Sequence, residues 1–155
     1  MRRRDREILD RELISAIIRD CQVCRLGLAR NNVPYIVPVS FGFDGQAIYF
    51  HTAREGKKID YIQANSAVCF EFERGVQLVR DDASPCNWSF HYQSVVGQGH
   101  IYELEAVGDK THALNRVMAQ YSGREWDFGP DRLDTIRVWK IEIEAITGKQ
   151  SQPPV

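Results

Sequence analysis

The run Ile48-Tyr49-Phe50-His51-Thr52-Ala53-Arg54-Glu55-Gly56-Lys57-Lys58 gathers the side chains best suited to chemistry. An apolar stretch ends at His51, a ring that changes charge near neutral pH. Thr52 and Glu55 stand three residues apart, the capping-box pattern in which hydroxyl and carboxylate satisfy the first amides of a helix. Amides at a helix start lack partners and sit at the positive end of the helix dipole. With a Thr hydroxyl, Lys57 and Lys58 beside them, they suit a phosphate, and Gly56 lets a bulky group come close. The pattern is neither a P-loop nor G-x-G-x-x-G. A capped surface helix with solvated lysines would use the same residues, so the stretch alone leaves both readings open.

Other reactive types are less organised. Cys21 and Cys24 have the C-x-x-C spacing of metal and redox sites, but no second pair follows, and both read as buried thiols. Cys69 is expected to point inward with Ala67 and Glu71. Cys86 falls in a polar stretch from which it can approach a ligand. His91, His100 and His112 show no ligand spacing, so no metal is expected. Trp88, Trp126 and Trp139 read first as packing groups.

The elements that must position these groups follow from periodicity. Leu9, Leu13, Ile14, Ile17 and Ile18 share one side of a helix over about 10–19, with Asp10 as its cap. Val23 to Ala29 alternates as a strand, Asn31-Asn32 is a turn, and Tyr35 to Phe43 is a second strand. Asp44-Gly45 is a hairpin turn leading to a third strand, Gln46 to His51. A short helix with Ile59 and Ile62 inside stops near Asn65, and Ala67 to Glu73 is a fourth strand. Residues 74–87 read as a loop. Trp88 to Leu104 is a long strand bent at Gly97 and Gly99. Asp109 opens a helix to about Tyr121, and Thr135 to Ile146 is the last strand. Six strands joined by hairpins rather than helical crossovers predict a mainly β domain: a six-stranded antiparallel split β-barrel with short flanking helices.

Composition narrows the function. The chain has 155 residues, enough for one domain with a sizeable core, and no repeat or linker divides it. Twenty Lys and Arg against 21 Asp and Glu leave a net charge of −1, which argues against a nucleic-acid binder. No run approaches the ~20 apolar residues of a membrane span. The basic start, Arg2-Arg3-Arg4, is not followed by the apolar core of a secretory signal, so a cytoplasmic protein with reduced cysteines is expected.

The order Val33-Pro34-Tyr35-Ile36-Val37-Pro38-Val39-Ser40-Phe41-Gly42-Phe43, then Tyr49-Phe50-His51-Thr52-Ala53 and Gly56-Lys57-Lys58, carries a resemblance. It continues through Val68-Cys69-Phe70-Glu71, Tyr92-Gln93-Ser94-Val95-Val96-Gly97-Gln98-Gly99 and Ile146-Thr147-Gly148-Lys149. In this order the chain resembles the pyridoxamine 5'-phosphate oxidase-like flavin proteins, and among them the branch related to nitroimidazole-resistance (Nim) proteins. The resemblance implies a split barrel, a homodimer, and flavin mononucleotide (FMN) held at the subunit interface. It implies that Val37, Pro38, Val39 and Ser40 lie along the isoalloxazine ring. Phe50, His51, Thr52 and Ala53 would then run beside the ribityl chain and phosphate, Lys57 and Lys58 would supply counter-charge, and Ser94 and Val95 would complete the pocket.

The oxidases that act on pyridoxamine phosphate carry further basic residues and a longer carboxy-terminal segment. The residues here show no second basic cluster, which turns the expectation away from vitamin B6 oxidation. What remains is an FMN-dependent reductase of a small electron-poor substrate, with His51 as a candidate proton donor. The alternative is a non-catalytic flavin- or haem-type ligand-binding module on the same barrel. The long strands bearing Phe41, Phe43, Tyr92, Trp139 and Ile141 predict apolar surface left over for the second subunit.

Overall fold

A computed structural model describes residues 3–151. After a 3₁₀ turn (Arg4–Arg6), β1 (Glu7–Ile8) leads to α1 (Arg11–Asp20). Asp10 caps α1 by accepting the Glu12 amide over 2.9 Å, and Ile14, Ile17 and Ile18 are buried. Leu9 precedes the helix and stays exposed, off the apolar side expected for it. β2 (Cys24–Arg30) and β3 (Val33–Val39) form a hairpin through Asn31 and Asn32, both at positive φ. β4 (Gly42–Phe43) and β5 (Ala47–Thr52) form another, in which the Asp44 carboxylate accepts the amides of Gln46 and Ala47. There follow α2 (Lys57–Ala64), β6 (Ala67–Val79), a 3₁₀ turn (Pro85–Asn87) and β7 (Ser89–Leu104). The chain then forms α3 (Val107–Ser122), α4 (Pro130–Leu133) and β8 (Arg137–Ser151).

All eight strands belong to one antiparallel sheet in the order β3-β2-β6-β7-β8-β5-β4, with β1 added on β8. The expected count of six is too low for two reasons. β1 is too short to leave a pattern, and the stretch 35–43 breaks into β3 and β4. That break makes the barrel. β3 and β4 lie at opposite ends of the sheet yet are separated only by Ser40 and Phe41, so the sheet curls until its ends meet. Among the described residues the seam between them carries no ladder bonds, and Pro34 and Pro38 on β3 suit such an edge because they lack an N–H. At the break Phe41 turns into the core, and its amide donates to the Tyr121 hydroxyl of α3 over 3.0 Å.

Three further boundaries differ. Residues 74–79 continue β6 instead of forming a loop: a bulge at Gly75-Val76, with Gly75 at φ 65°, restores the ladder so that Leu78 pairs with Phe90. α3 begins at Val107 rather than Asp109, and β8 runs on to Ser151. Inside the barrel Leu26, Phe41, Phe50, Phe70, Phe72, Val95 and Ile141 pack with the buried face of α1. α3 closes a second, smaller cluster against Tyr49 and Val138. Gly42 lets it come that close, since a Cβ there would overlap the backbone of Arg116. Among the described residues no helix is long and apolar enough to cross a membrane.

Candidate functional site

Alternation along β5 sorts its end by direction. Phe50 points into the barrel, wholly buried, and stacks on Trp139 with ring centres 6.3 Å apart. His51 points outward and is exposed. Thr52 is buried again. Its hydroxyl oxygen accepts the Trp139 indole N–H over 3.0 Å and donates to the Ala53 carbonyl over 2.7 Å. The expected capping box is therefore not formed. Thr52 belongs to β5, its hydroxyl is engaged by β8, and Gly56 is the N-cap of α2 with φ 138° and no side-chain cap. A glycine cap leaves the helix start open, with empty space where its Cβ would be.

The two lysines at that start diverge. Lys57 lies over the Tyr35 ring of β3, its Nζ 4.6 Å from the centroid, and 5.7 Å from that of Tyr61. Lys58 is half-buried, and burial holds its pKa below the usual value for an ammonium. Among the described residues it forms no ion pair. The pKa of His51 is lowered too, first by the hydration its ring loses against neighbouring groups although the residue as a whole is exposed, and second by the charge of Lys58, so the neutral ring is favoured. An anion arriving at Lys58 would relieve both groups at once.

Lys57 on Tyr35 also brings α2 against β3 across the seam. On β3, Pro38 is exposed, Val37 half-buried and Val39 buried; Ser40, just beyond its end, is exposed. These residues and the stretch Phe50–Lys58 thus flank the seam. Ser94 and Val95 lie further along the sheet: His51 pairs with Val138 and Ser94 with Lys149, eleven positions on along β8. Ser94 is half-buried, and Val95 faces the core, fully buried.

The other candidates settle as follows. Cys21 and Cys24 are buried, and burial pushes the Cys24 thiol far up. Cys69 is exposed on the outer face, because Val68 and Phe70 take the inward positions. Cys86 is exposed in the 3₁₀ turn. Phe41, Trp139 and Ile141, expected as surplus apolar surface, fill this chain's own core. The exposed apolar groups lie elsewhere: Ile36 at 71%, Val96, and the row Val76, Leu78, Trp88 and Phe90 on the β6–β7 hairpin. Residue periodicity also gave no sign that Tyr35, Tyr61 and Trp139 support the site. Their partners lie far off along the chain, and no local pattern marks a pairing such as Trp139 with Thr52.

A family profile described as pyridoxamine 5'-phosphate oxidase matches residues 10–150. A curated relative, an uncharacterised protein of Rhizobium meliloti (strain 1021), is 28% identical over 100 residues. That alignment covers 64% of this chain and 58% of the relative, so the chain spans less than two thirds of its length. Among solved structures, one provisionally named as a 5-nitroimidazole antibiotic resistance protein from Bacteroides thetaiotaomicron is 30% identical. It superposes with a TM-score of 0.83, covering 93% of this chain and 86% of that one. The flavocytochrome Anf3 of Azotobacter vinelandii (TM-score 0.84, 19% identity, 99% and 73% covered) shares the fold. So does an FAD-binding protein of Mesorhizobium loti (0.69, 23%, 93% and 96%). With the split barrel, its order of strands and the matched residues in agreement over nearly its whole length, the chain belongs to the pyridoxamine 5'-phosphate oxidase family.

Proposed function

We propose that this protein binds FMN at the seam between β3 and the β5–α2 corner and reduces a small, planar, electron-poor substrate, nitroaromatics among them. The observation that carries the reading is Lys58: a half-buried ammonium without an ion pair among the described residues, next to His51 and to a helix start left open by Gly56. A phosphate placed there meets the cation and the first amides of α2 together. The flavin-binding and flavocytochrome relatives of the same fold are consistent with it.

The flavin, when bound, supplies the electron chemistry. The chain's own residues hold and orient it. Edge strand β3 offers unpaired backbone groups at Val37 to Ser40 to the polar rim of the ring. Lys58 neutralises phosphate charge, and Thr52, anchored by Trp139, fixes the corner at which the phosphate sits. His51 stands at the mouth of the site as the proton donor to the reduced substrate.

The working form is a homodimer with FMN at the interface. Ile36, Val96 and the hairpin row offer one subunit's outer face to another. Ser94, half-buried and paired far along β8 from His51, approaches the site of a second copy, while Val95 supports it from within the core. A visible spectrum of the purified protein and the mass of its released cofactor test the reading. Yellow protein releasing FMN supports it; FAD, or colourless protein that takes up no flavin, overturns it. Bleaching by reduced nicotinamide separates a reductase from a module that only holds its ligand.

A further inference from the structure

Strands β6 and β7 run on past the sheet as a two-stranded arm. β2 pairs with β6 no further than Glu71, and β8 reaches β7 no further than Tyr92. Beyond these points Gln77, Leu78 and Val79 pair only with His91, Phe90 and Ser89 among the described residues. A lone two-stranded hairpin is marginal in water, so the arm needs cover. Its faces differ because of the bulge at Gly75-Val76. Without the extra residue Leu78 would share the inward side of Phe72; with it Leu78 stands opposite Phe90, on the outward side of Ser94. Val76, Leu78 and Phe90, with Trp88 beside them, form an apolar row, each half exposed. The tip holds Trp88 in place. The Asp81 carboxylate accepts the amides of Ala83 and Ser84 over 2.8 and 3.1 Å, and its carbonyl accepts the Trp88 indole N–H over 2.6 Å. The polar atom of that ring is thus satisfied within the chain, and its apolar body is left to a partner.

A second row on the same molecule fits the first. Pro34, Ile36 and Pro38 alternate along the outer side of edge strand β3, all exposed, while Tyr35, Val37 and Val39 turn the other way and are at least half-buried. Under two-fold symmetry each copy lays its arm on the other's β3, and both rows are covered at once. The four side chains of one arm present roughly 300–400 Å² of apolar surface. Two arms and the two strips beneath them come to about 1,200–1,600 Å², the size of a stable interface. The β3 strip ends at the flavin corner, since Pro38 lies within the stretch Val37 to Ser40. On the arm's side, Ser94 shares the outward face of β7 with Phe90, four residues away and roughly 13 Å along the strand.

We propose that the arm crosses to the second copy and that its Trp88 walls the partner's substrate site, holding a flat aromatic substrate against the open face of the flavin ring. The inference rests on the flavin reading above and adds its selectivity. An indole is rich in electrons and favours a ring that a nitro group has drawn poor in them, so the site takes planar nitroaromatics over aliphatic compounds of the same charge. Leu78 and Phe90 seat the arm on the partner's Ile36 and the partner's Pro38, and neither copy has a complete site alone.

The test is a titration of the oxidised, flavin-loaded full chain with 4-nitrobenzoate, followed in the flavin spectrum without turnover. Trp88→Leu keeps an apolar side chain in the interface and removes the ring, with Trp88→Met in its place should leucine loosen the dimer. The variant should stay a dimer with full flavin, bind 4-nitrobenzoate at least tenfold more weakly, and bind cyclohexanecarboxylate as wild type does. Trp88→Phe should restore most of the loss. Mixed dimers assign the copy. A Trp88→Leu chain paired with a Lys58→Met chain, at a flavin concentration that fills only the former, should bind the nitroaromatic as wild type does, because the wall of the filled site comes from the other chain. Wild-type binding by the Trp88→Leu dimer, or mixed dimers as weak as that variant, overturns the proposal. So does wild-type protein that is a flavin-loaded monomer or ignores millimolar 4-nitrobenzoate. Colourless protein that takes up no flavin ends the flavin reading and this one together, whereas a yellow dimer indifferent to Trp88 ends this one alone.

Discussion

Trp139 and Thr52, 87 residues apart, meet inside the barrel, where the indole N–H donates to the threonine hydroxyl over 3.0 Å. The same hydroxyl donates to the Ala53 carbonyl, so one side chain ties β8 to the corner where the chain leaves β5 for α2. Thr52→Val keeps the shape and strands the indole N–H. Leaving a buried donor unpaired costs ~1–3 kcal/mol, and urea unfolding should show a loss of that size, with Thr52→Ser close to wild type. Full stability of the valine variant would mean that the indole has another partner.

Stability should depend on pH through His51. Its folded pKa lies below the ordinary value, so at mildly acidic pH the unfolded chain binds more protons than the folded one. The folded state is unpenalised above the unfolded value of ~6.5 and loses stability as pH falls through it toward the folded pKa. Unfolding curves between pH 8 and 5 should fall more steeply for wild type than for His51→Gln. In Lys58→Met, the histidine titration followed by NMR should move up.

If His51 gives a proton to the reduced substrate, His51→Gln keeps its flavin and slows turnover, since a positioned acid contributes ~10²–10⁴-fold in rate. Stopped-flow measurement at saturating FMN should place the slowing in reoxidation by a nitroaromatic, with flavin reduction unchanged. Equal rates in both steps would leave His51 with a binding role alone.

Lys58→Met should weaken FMN by ~1.5–3 kcal/mol, the worth of a charge-assisted hydrogen bond, measured by fluorescence quenching of free flavin. Lys57→Ala should cost less, because its ammonium is turned onto Tyr35. The reverse order would place the phosphate on the β3 side of α2.

Ile36→Glu puts a charge on an apolar side chain that is 71% exposed in the single chain. Sedimentation at micromolar concentration should then find monomer where wild type is dimer, and flavin should be lost with the partner. A wild-type monomer that holds flavin would remove the interface from the proposed function.

Short-range features were legible from the residues alone, since each is decided within a few positions. Asp10 caps α1, Asn31-Asn32 and Asp44-Gly45 turn their hairpins, and the alternation of β2, β5 and β6 marks strands. The order of short motifs carried the family as well, because many short matches in sequence constrain one another. Tertiary structure decided what depends on distant neighbours. Thr52 and Glu55 spell a capping box, but the hydroxyl goes to Trp139, a stronger claim made from another strand. Alternation shows that Cys69 and Phe70 face opposite ways, but the inward direction expected for Cys69 is the wrong one of the two, and the curled sheet sends it out. Phe41 and Ile141, expected at a subunit interface, fill the core instead, because hydrophobicity has no direction until the barrel closes. Lys57 and Lys58 are adjacent in the chain, yet the turn of α2 sends one to Tyr35 and the other to His51.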